Sequence, residues 1–456
     1  VRELAMAESG ARVAIVGGGL LGMTLAHRLR SQGFQTTIFE AAPQPGGLAS
    51  SQRLGGAEWD RFYHVILLSD RDLLELLNEL DLGGRLHWGY TRSGFYTDGR
   101  FHSLSSSLDF LTFPPLSLWE KARLAATILR ASRIQDPLPL ESETAASWLS
   151  RLSGRRTYER LWRPLLRSKL GENADRASAS FIWAIIARMY AARRSGLKRE
   201  MFGYVDGGYA TILPRFRERL ANGGVEFVCG QRVARVSSSS AGAAVQLADG
   251  SVLEFDAAIL TVACPQILNL CPDLNETEQR RLRSVVYQGI VCPSLLLRRP
   301  LRSYYVTNIT DEWVPYTAVI EMTALVDRER FGGHTLVYLP RYLSQSSPMW
   351  QQSDGEIVGS FTQALLRMYP ELRESDVSAW QVGRAREVLA ISTLNYSRDS
   401  LPPSRTSLDN VFIANSAQIA SGTLNVNETV GLANRKAKEL GPLLRRARPS
   451  EVEAPV

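Results

Sequence analysis

The sequence predicts an α/β fold that opens with a βαβ unit, and three features near its start support this prediction. The run RVAIV, residues 12–16, is rich in β-branched side chains and is typical of a buried parallel strand. A glycine-rich turn follows, and the stretch 20–32, which ends before Gly33, has the length of a helix. The run QTTIFE then predicts a second strand that ends in Glu40. This order is typical of a Rossmann-type dinucleotide-binding domain.

The glycines of the turn have G-x-G-x-x-G spacing, and each has a separate physical role. Gly17 permits the tight turn, Gly19 lets a pyrophosphate approach the backbone, and Gly22 lets the helix pack close to the strand. Glu40 lies 21 residues beyond Gly19, where a ribose hydroxyl needs an acceptor. The dinucleotide contacts predicted in this unit are Gly17, Gly19, Leu20, Leu21, Gly22 and Glu40.

The same apolar run, residues 13–26, does not predict a secretory signal or a membrane span. Its three consecutive glycines oppose a helical signal core, and no small-residue cleavage site follows them. Fourteen residues are also too few to cross a bilayer as a helix, and no other stretch is apolar for long enough.

A second glycine-rich run, EAAPQPGGLASS, indicates which dinucleotide is bound. It resembles the extended FAD fingerprint of the amine-oxidase-like flavoproteins, in which a diglycine loop follows the acid of the second strand. The resemblance implies FAD contacts at Gly46, Gly47, Leu48 and Ala49. The fragment GGVEFVCGQRVARVSS resembles the segment whose valine backbone meets the adenine, which here is Val233.

The run DNVFIANSAQIASGTLNVNETVGLANRKAKEL predicts a strand at 411–414, a polar loop and a helix from about Glu428. It resembles the C-terminal FAD motif of the same flavoproteins, whose helix N-terminus points at the isoalloxazine ring. Unpaired N–H groups and the positive end of the helix dipole stabilise negative charge there. The loop SGTLNVNE lacks the cysteine that joins flavin covalently in some members, so the resemblance implies non-covalent FAD. The contacts that it implies are Asn415, Ser416, Asn427, Glu428 and Thr429.

Four segments in the middle of the chain narrow the resemblance to the bacterial protoporphyrinogen-oxidase-like branch. They are FYHVILLSDRDLLELLNELDLGGRLHW, SGFYTDGRFHSL, YERLWRPLLRSKLGENADRASASFIWAII and GYVDGGYATILPRFRERL. UDP-galactopyranose mutase is a more distant resemblance, and the likeness covers about residues 11–445. It implies a GR2-like FAD-binding domain with an inserted α+β substrate domain.

The order of the motifs implies a discontinuous FAD-binding domain, because its pieces lie at both ends of the chain and near the middle. We assign it residues 11–70, 205–285 and 385–445. Helical spacing dominates between the first two pieces and strand patterns between the last two, so 71–204 and 286–384 are expected to form a helix-plus-sheet substrate domain. Residues 1–10 and 446–456 are expected to be loose termini.

The expected catalytic residues are His64 and Glu321. Flavin performs the hydride or electron transfer itself, so an acid–base triad is not required. His64 follows the diglycine loop in WDRFYHVIL, where related flavoproteins place residues over the ring, and it could donate a proton or bond a substrate oxygen. A structural histidine bonded to backbone is the open alternative. Glu321 lies on a predicted strand, and alternation leaves a cavity-facing and a solvent-facing orientation equally open.

Aromatic and basic residues supply the expected substrate contacts. The tyrosines proposed as pocket walls, with core packing as the alternative, are Tyr305, Tyr316, Tyr338 and Tyr396. The polyamine and monoamine oxidases carry a lysine that holds water near flavin N5, but residues 199–435 contain no lysine. The sequence therefore argues against amine oxidation.

The densest basic region is 151–199, where helical spacing places Arg156, Arg163 and Arg167 near one face and Trp162, Leu165 and Leu166 inward. Three interpretations stay open: a solvated face, a phosphate-bearing substrate held by Arg163 and Arg167, or anionic lipid.

The composition of the chain limits the remaining classes of fold, ligand and cellular location. The chain has 456 residues, 45% of them hydrophobic and 22% charged, with a net charge of +7, which suits a globular protein of two domains. The four cysteines form no C-x-x-C pair and the five histidines are scattered, so neither a disulfide framework nor a metal site is expected. These features favour the cytoplasm, with peripheral contact at the inner membrane face as an alternative. Basic residues do not alternate with aromatics as in nucleic-acid-binding modules, so no nucleic acid is expected.

The function predicted from the sequence is an FAD-dependent oxidoreductase. It would dehydrogenate a small or medium organic substrate, sugar- or phosphate-bearing, in a biosynthetic pathway, and pass electrons to oxygen, quinone or another acceptor. The alternatives are a flavin-dependent sugar mutase or isomerase without net redox change, and a flavin-binding scaffold without turnover.

Overall fold

The structure is a computed structural model of the whole chain. The structure describes residues 10–105, 107–193, 201–420, 422 and 424–446. The predicted loose termini lie outside the described residues, apart from Gly10 and Arg446.

The strands are numbered in chain order. They are β1 (Arg12–Val16), β2 (Gln35–Glu40), β3 (Ser51–Leu54), β4 (Ala57–Asp60), β5 (Ile66–Leu67), β6 (Leu86–Tyr90), β7 (Ser93–Thr97), β8 (Arg100–Ser103), β9 (Met201–Val205), β10 (Glu226–Cys229), β11 (Val233–Ser239), β12 (Gly242–Leu247), β13 (Val252–Phe255), β14 (Ala257–Leu260), β15 (Tyr287–Leu297), β16 (Val306–Ile309), β17 (Ala318–Glu321), β18 (Thr335–Tyr338), β19 (Arg341–Leu343), β20 (Val377–Ala390) and β21 (Val411–Ile413).

The α-helices are numbered in the same way. They are α1 (Leu20–Arg30), α2 (Arg71–Glu79), α3 (Ser107–Thr112), α4 (Leu118–Ala131), α5 (Ala145–Ser153), α6 (Arg155–Thr157), α7 (Arg163–Leu170), α8 (Ala179–Arg193), α9 (Tyr209–Asn222), α10 (Cys264–Leu270), α11 (Glu276–Ser284), α12 (Asp354–Met368), α13 (Tyr396–Asp399) and α14 (Val426–Arg446). A π-helical turn, Tyr158–Trp162, joins α6 to α7.

The first sheet confirms the predicted βαβ unit. Its five strands are all parallel, in the order β10-β2-β1-β14-β21. Strands β1 and β2 have the bounds that the sequence predicts, and α1 ends two residues earlier than predicted. Because β21 comes from the far end of the chain, this sheet is assembled from three separate parts of the sequence.

One face of this sheet is covered by α1, which packs against the C-terminal helix α14. The two helices share a buried core with the sheet, to which Met23 and Leu25 of α1 and Leu440 of α14 belong. A Cβ atom at Gly22 would lie 2.0 Å from the carbonyl oxygen of Gly17. The third glycine of the motif is therefore required by the close approach of α1 to the turn, as its position in the sequence predicts.

A second, larger sheet lies beyond the first. Its order is β19-β15-β18-β17-β16-β7-β8, and β20 pairs with the remaining edge of β15. All eleven residues of β15 are buried, because helix α12 and the neighbouring strands cover it. The strand patterns predicted after residue 286 are found in this sheet, and β7 and β8 join it from the earlier part of the chain.

The helices α4 to α8 form a separate layer with its own core. Trp148 of α5 and Phe181 of α8 are buried there together with Leu389 and Ile391, which lie at the end of β20 and just after it. The layer is thus fixed to the large sheet through β20. Within the described ranges, none of the helices is long and apolar enough to cross a membrane.

Gly22→Ala should destabilise the fold, because the added methyl group meets the backbone of Gly17 rather than a movable side chain. We expect a loss of about 3 kcal/mol in the free energy of unfolding, at the upper end of typical overpacking costs. Urea denaturation measures this. The matched control is Gly359→Ala in α12, where a Cβ meets nothing within 4 Å. That change should stabilise the protein by about 0.5–1 kcal/mol, and a similar result for Gly22→Ala would contradict the packing argument.

Candidate active site

A cavity of about 600 Å³ lies where the carboxyl ends of the parallel strands meet the second sheet and the helical layer. The turn after β1, the loop after β2 and the residues after β14 line one part of it. Strands β15, β19 and β20, helices α7 and α8 and the start of α14 line the rest. Twelve of the residues predicted from sequence line this cavity: Gly17, Gly19, Leu20, Leu21, Glu40, Gly46, Gly47, Leu48, Ala49, His64, Ser416 and Thr429.

The glycine-rich turn leaves space where a phosphate group could approach the backbone. A Cβ atom at Gly19 would meet only the Cα of Gly47, at 4.0 Å, so its absence leaves room on the cavity side. The N–H of Gly18 donates to Oε2 of Glu40 at 2.9 Å, and the N–H of Ala42 donates to Oε1 at 2.8 Å. Glu40 thereby joins the two loops at the edge of the cavity. The turn and the carboxylate fit a dinucleotide.

The diglycine loop lies directly against this turn. The N–H of Gly46 donates to the carbonyl oxygen of Gly18 at 2.9 Å. The φ angles of Gly46 and Gly47 are +144° and +57°, a region that L-residues with a side chain rarely adopt. The pair is thus required by the path of the chain beside the cavity.

Helix α14 begins at the cavity, two residues before the predicted start at Glu428. Val426 and Thr429 line the cavity wall. The side chain of Asn425 caps the helix by accepting from the N–H of Glu428 at 3.0 Å. The positive end of a helix of 21 residues is therefore directed at the cavity, which suits a group that gains negative charge.

Five of the predicted FAD contacts do not line the cavity: Gly22, Val233, Asn415, Asn427 and Glu428. Asn415 is fully buried and donates to the carbonyl oxygen of Val262, which does line the cavity, at 3.1 Å. Asn427 accepts from the N–H of Leu73 in α2 at 3.1 Å. Burial, opposed by Arg435 and Arg188, raises the pKa of Glu428. Asn415 and Asn427 therefore support the walls rather than form them.

His64 lies in the cavity wall, as the sequence predicts. Its ring packs against Tyr209 with the centroids 4.9 Å apart. Nδ1 lies 3.7 Å from Oδ2 of Asp60, beyond hydrogen-bond distance, and it has no hydrogen-bond partner among the described residues. Asp60 itself is buried and accepts from the N–H of Tyr209 at 2.7 Å. The alternative from the sequence was a structural histidine bonded to backbone, and Nδ1 of His64 makes no such bond to a described residue.

The structure does not bring Glu321 to the cavity, contrary to its predicted catalytic place. Glu321 is buried in the large sheet, where its carboxylate accepts from the N–H groups of Leu301 and Ser303 at 3.2 and 2.9 Å. Burial outweighs these two bonds and raises the pKa of Glu321 to about 7. Since Ser303 has a φ of +56°, the carboxylate holds a strained turn.

The four predicted pocket tyrosines are core residues, each less than 4% exposed, and none lines the central cavity. The hydroxyl of Tyr338 donates to the carbonyl oxygen of Asp60 at 2.6 Å, and that of Tyr396 donates to Ala417 at 2.8 Å. Tyr305 packs against Phe202, and Tyr316 packs against Phe361 of α12. The four tyrosines therefore pack in the core, which is the alternative that the sequence left open.

The π-helical turn changes the helical register between α6 and α7, so Arg156 does not share with Arg163 and Arg167 the single face that regular helical spacing predicts. Arg156 pairs with Glu120, Arg163 pairs with Glu159 at 2.8 Å, and neither lines the central cavity. Arg167 lies in a second cavity of about 390 Å³, with Tyr316 and Arg341. The three arginines therefore have different neighbours.

Lys169, one turn of α7 beyond Leu165, lines the central cavity, and sequence reasoning missed it. Its ammonium lies 5.9 Å from the ring centre of Tyr342. Burial, together with the charge of Arg188, lowers the pKa of Lys169 to about 8. Tyr342 and Tyr63 share a hydroxyl–hydroxyl bond of 2.9 Å, and burial raises the pKa of Tyr63 well above its usual value.

Other cavity residues had weak signals in the sequence. Thr261 to Ala263 follow a strand of the parallel sheet, and the general rule for such sheets places ligands there. The residues missed are Phe62, Tyr63, Val65, Lys169, Arg188, Thr261, Val262, Ala263, Gln266, Ile290, Tyr342, Glu387, Val388, Ile419, Leu424, Asn425, Val426 and Leu432.

No group of three acidic, histidine or cysteine side chains that could hold a metal occurs in the part of the chain that the structure describes. All four cysteines are free thiols, and three of them are buried. Burial raises the pKa of Cys292 and of Cys271, the latter to about 12.

Comparison with known proteins agrees with this geometry. Coproporphyrinogen III oxidase of Mycobacterium leprae (strain TN) is 27% identical over 278 residues, which cover 56% of this chain and 60% of the relative. The chain spans only part of the curated relatives that it matches, from 15% to 63% of the porphyrinogen oxidases.

Solved structures share the fold over nearly the whole chain. A protein of Exiguobacterium sp. 255-15, provisionally named protoporphyrinogen oxidase, superposes with a TM-score of 0.73 and 18% identity, over 95% of this chain and 99% of its own. Reduced UDP-galactopyranose mutase superposes with a TM-score of 0.71 and 13% identity, over 95% and 96%. The family model described as flavin containing amine oxidoreductase matches residues 22–438. The chain therefore belongs to the flavin-containing amine oxidoreductase family.

Proposed function

We propose that the protein dehydrogenates a small or medium anionic organic substrate in the central cavity and passes the electrons to a separate acceptor. The observation that carries this proposal is that one cavity is lined both by the dinucleotide motifs and by side chains of the second sheet and helical layer. A cofactor site that shares its walls with a second domain gives a substrate direct access to the cofactor.

The residues that would hold FAD are those of the glycine turn, the diglycine loop, Glu40 and the start of α14. Bound FAD supplies the hydride or electron transfer, while the protein supplies binding, orientation and exclusion of water. We propose that FAD is held without a covalent bond, because none of the four cysteines lines the cavity.

His64 is proposed to hold or move a proton at the substrate. The ring lines the cavity, and its buried Nδ1 has no hydrogen-bond partner among the described residues, so no bond at that atom fixes the ring. A ring in this position can bond a substrate oxygen or nitrogen that enters the cavity. Glu321 has no part in this proposal, because it lies in the sheet interior.

We also propose a cytoplasmic location with peripheral contact at anionic lipid. Free, largely buried thiols fit a reducing compartment. The contact would be made by an apolar tip formed by Leu111, Leu118 and Trp119, which are 54%, 71% and 73% exposed. Lys121 binds the end of α3 to the start of α4, since its ammonium donates to the carbonyl oxygen of Leu111 at 2.6 Å.

Basic side chains border the apolar tip. Arg160 donates to the carbonyl oxygen of Pro115 at 3.1 Å, and Arg156 lies 3.3 Å from Glu120 of α4. Exposed leucine and tryptophan beside arginine suit the interface of an anionic bilayer, where the apolar groups enter the headgroup region and the cations stay at its surface.

Replacement of Glu40 tests the cofactor assignment. Glu40→Ala removes the acceptor expected for the ribose hydroxyl and should weaken FAD binding by about 1.5–3 kcal/mol. Titration of the deflavinated protein with FAD measures this, and acid should release free FAD from the wild type. The control is Glu226→Ala on the neighbouring strand β10, outside the cavity lining. Equal affinity in both variants, or flavin that stays on the denatured chain, would refute the assignment.

Anaerobic flavin absorbance tests the reaction class. Candidate substrates from neighbouring biosynthetic genes should bleach the flavin of the wild type, and His64→Ala should retain FAD but bleach about 100- to 10,000-fold more slowly. Turnover only after prior chemical reduction would favour the mutase alternative, and neither result would favour the scaffold. An unchanged bleaching rate in a fully loaded His64→Ala protein would leave His64 with a structural role.

Vesicle cosedimentation tests the apolar tip. The wild type should bind phosphatidylglycerol vesicles more tightly than phosphatidylcholine vesicles, and salt should weaken the binding. A double change, Leu118→Ser with Trp119→Ser, should abolish it, and Arg156→Gln with Arg160→Gln should cost about 1 kcal/mol per charge. The control is Trp380→Ser, because Trp380 is 45% exposed but is not part of the apolar tip. Equal sedimentation of all variants would show that the tip does not bind lipid.

A further inference from the structure

We propose that Lys169 binds an anionic group of the substrate, and that it selects carboxylate-bearing substrates over neutral ones. The inference deepens the proposed function and rests on it, because it takes the central cavity as the substrate site.

The first observation is that Lys169 has no counter-ion among the residues that the structure describes. No carboxylate oxygen among the described residues lies within 4.0 Å of its ammonium. The other cation of the cavity, Arg188, already pairs with Asp70 at 3.2 Å. Glu387, an acidic residue of the same wall, accepts from Gln266 at 3.3 Å. Lys169 is therefore the lining cation, within the described residues, whose charge is left for a ligand.

The second observation concerns what surrounds the ammonium. Lys169 lines the wall near the ring of Tyr342, which offers a weak cation–π contact at 5.9 Å and no negative charge. Phe62, Val65 and Ile290 add apolar surface to the same cavity. A partly buried ammonium in such surroundings opposes folding, because it loses hydration and gains little in return. The lowered pKa of Lys169, about 8, has the same cause.

The third observation supplies a second hydrogen-bond donor. Tyr63 and Tyr342 carry two hydroxyl protons, and their mutual bond of 2.9 Å uses only one. The remaining proton can be donated to an oxygen that enters the cavity, since both tyrosines line it. A carboxylate accepts at two oxygens, so it could bond the ammonium and this hydroxyl together.

The helical register explains why Lys169, and not the neighbouring Arg167, lines the central cavity. Arg167 and Ser168 line the second cavity, and Lys169 lines the central one. Helix α7 is thus a wall between the two cavities. It ends at Leu170, and the next residue, Gly171, lines the second cavity.

Titration of the FAD-loaded protein with matched acids and amides tests the inference. The probes are acetate, benzoate and indole-3-acetate, with acetamide, benzamide and indole-3-acetamide as neutral counterparts, followed by flavin absorbance. At least one acid should bind roughly tenfold or more tightly than its amide, and Lys169→Met should remove this preference. Lys169→Arg should retain most of it, and Lys438→Met, at an exposed lysine, should change nothing.

The pH dependence of acid binding, measured by the same titration, is a second test of the inference. Acid binding should weaken as pH rises through about 8, where Lys169 loses its proton, while amide binding should not change. No preference for any acid in the wild type, or the same preference in Lys169→Met, would overturn the proposal.

Thermal stability separates this role from a structural one. The lysine pKa is lower in the folded protein than in the unfolded chain, so the charge destabilises the fold below pH 8, and this penalty fades as pH rises towards 10.5. Lys169→Met should therefore melt at a higher temperature than the wild type at pH 7, by a margin that narrows between pH 8 and 9.5. A lower melting temperature would identify a structural lysine. These measurements need no turnover, so their outcome does not depend on whether the protein oxidises a substrate.

Discussion

The structure depends on the parallel pairing of β1 with β2 and β14, because this pairing brings three carboxyl ends to one edge of a sheet. Each strand ends in a loop that must leave the sheet at the same place, and these loops enclose the cavity. The close approach of α1 to the turn at Gly17 fixes the first loop, and Glu40 ties it to the second through two backbone N–H groups. Helix α14 then directs its N-terminus to the same edge.

The other half of the cavity follows from a different constraint, the length of β15. This strand pairs with β18 and β19 along one edge and with β20 along the other, so it holds the large sheet together. Side chains alternate along its partners. On β19, Arg341 therefore lines the second cavity while Tyr342 lines the central one.

Local patterns in the sequence predicted the βαβ unit and the glycine-rich loops beside the cavity, because each of these elements is specified by neighbouring residues. The turn at Gly17, the acid at Glu40 and the diglycine loop need only the backbone geometry of short segments. The substrate half could not be predicted in this way. Glu321 satisfies a strained turn, and Tyr338 bonds the carbonyl oxygen of Asp60, roles that require knowing which strands lie side by side.

Lys169 shows how the helical register of α7 determines which of its side chains lines the central cavity. A regular helix from Arg155 onward predicts one arginine face, but the π-helical turn rotates α7 relative to α6. Successive residues of a helix are about 100° apart, so a shift of one position exchanges the residue that faces each cavity. Residues 199–435, where the sequence analysis sought the lysine that the polyamine and monoamine oxidases carry near flavin N5, contain no lysine. Here the cavity cation comes from the helical layer, so its position relative to the parallel sheet is set by how α7 packs against β19. In the proposed role of Lys169, substrate selection therefore depends on the register of α7 and not on the loops of the parallel sheet.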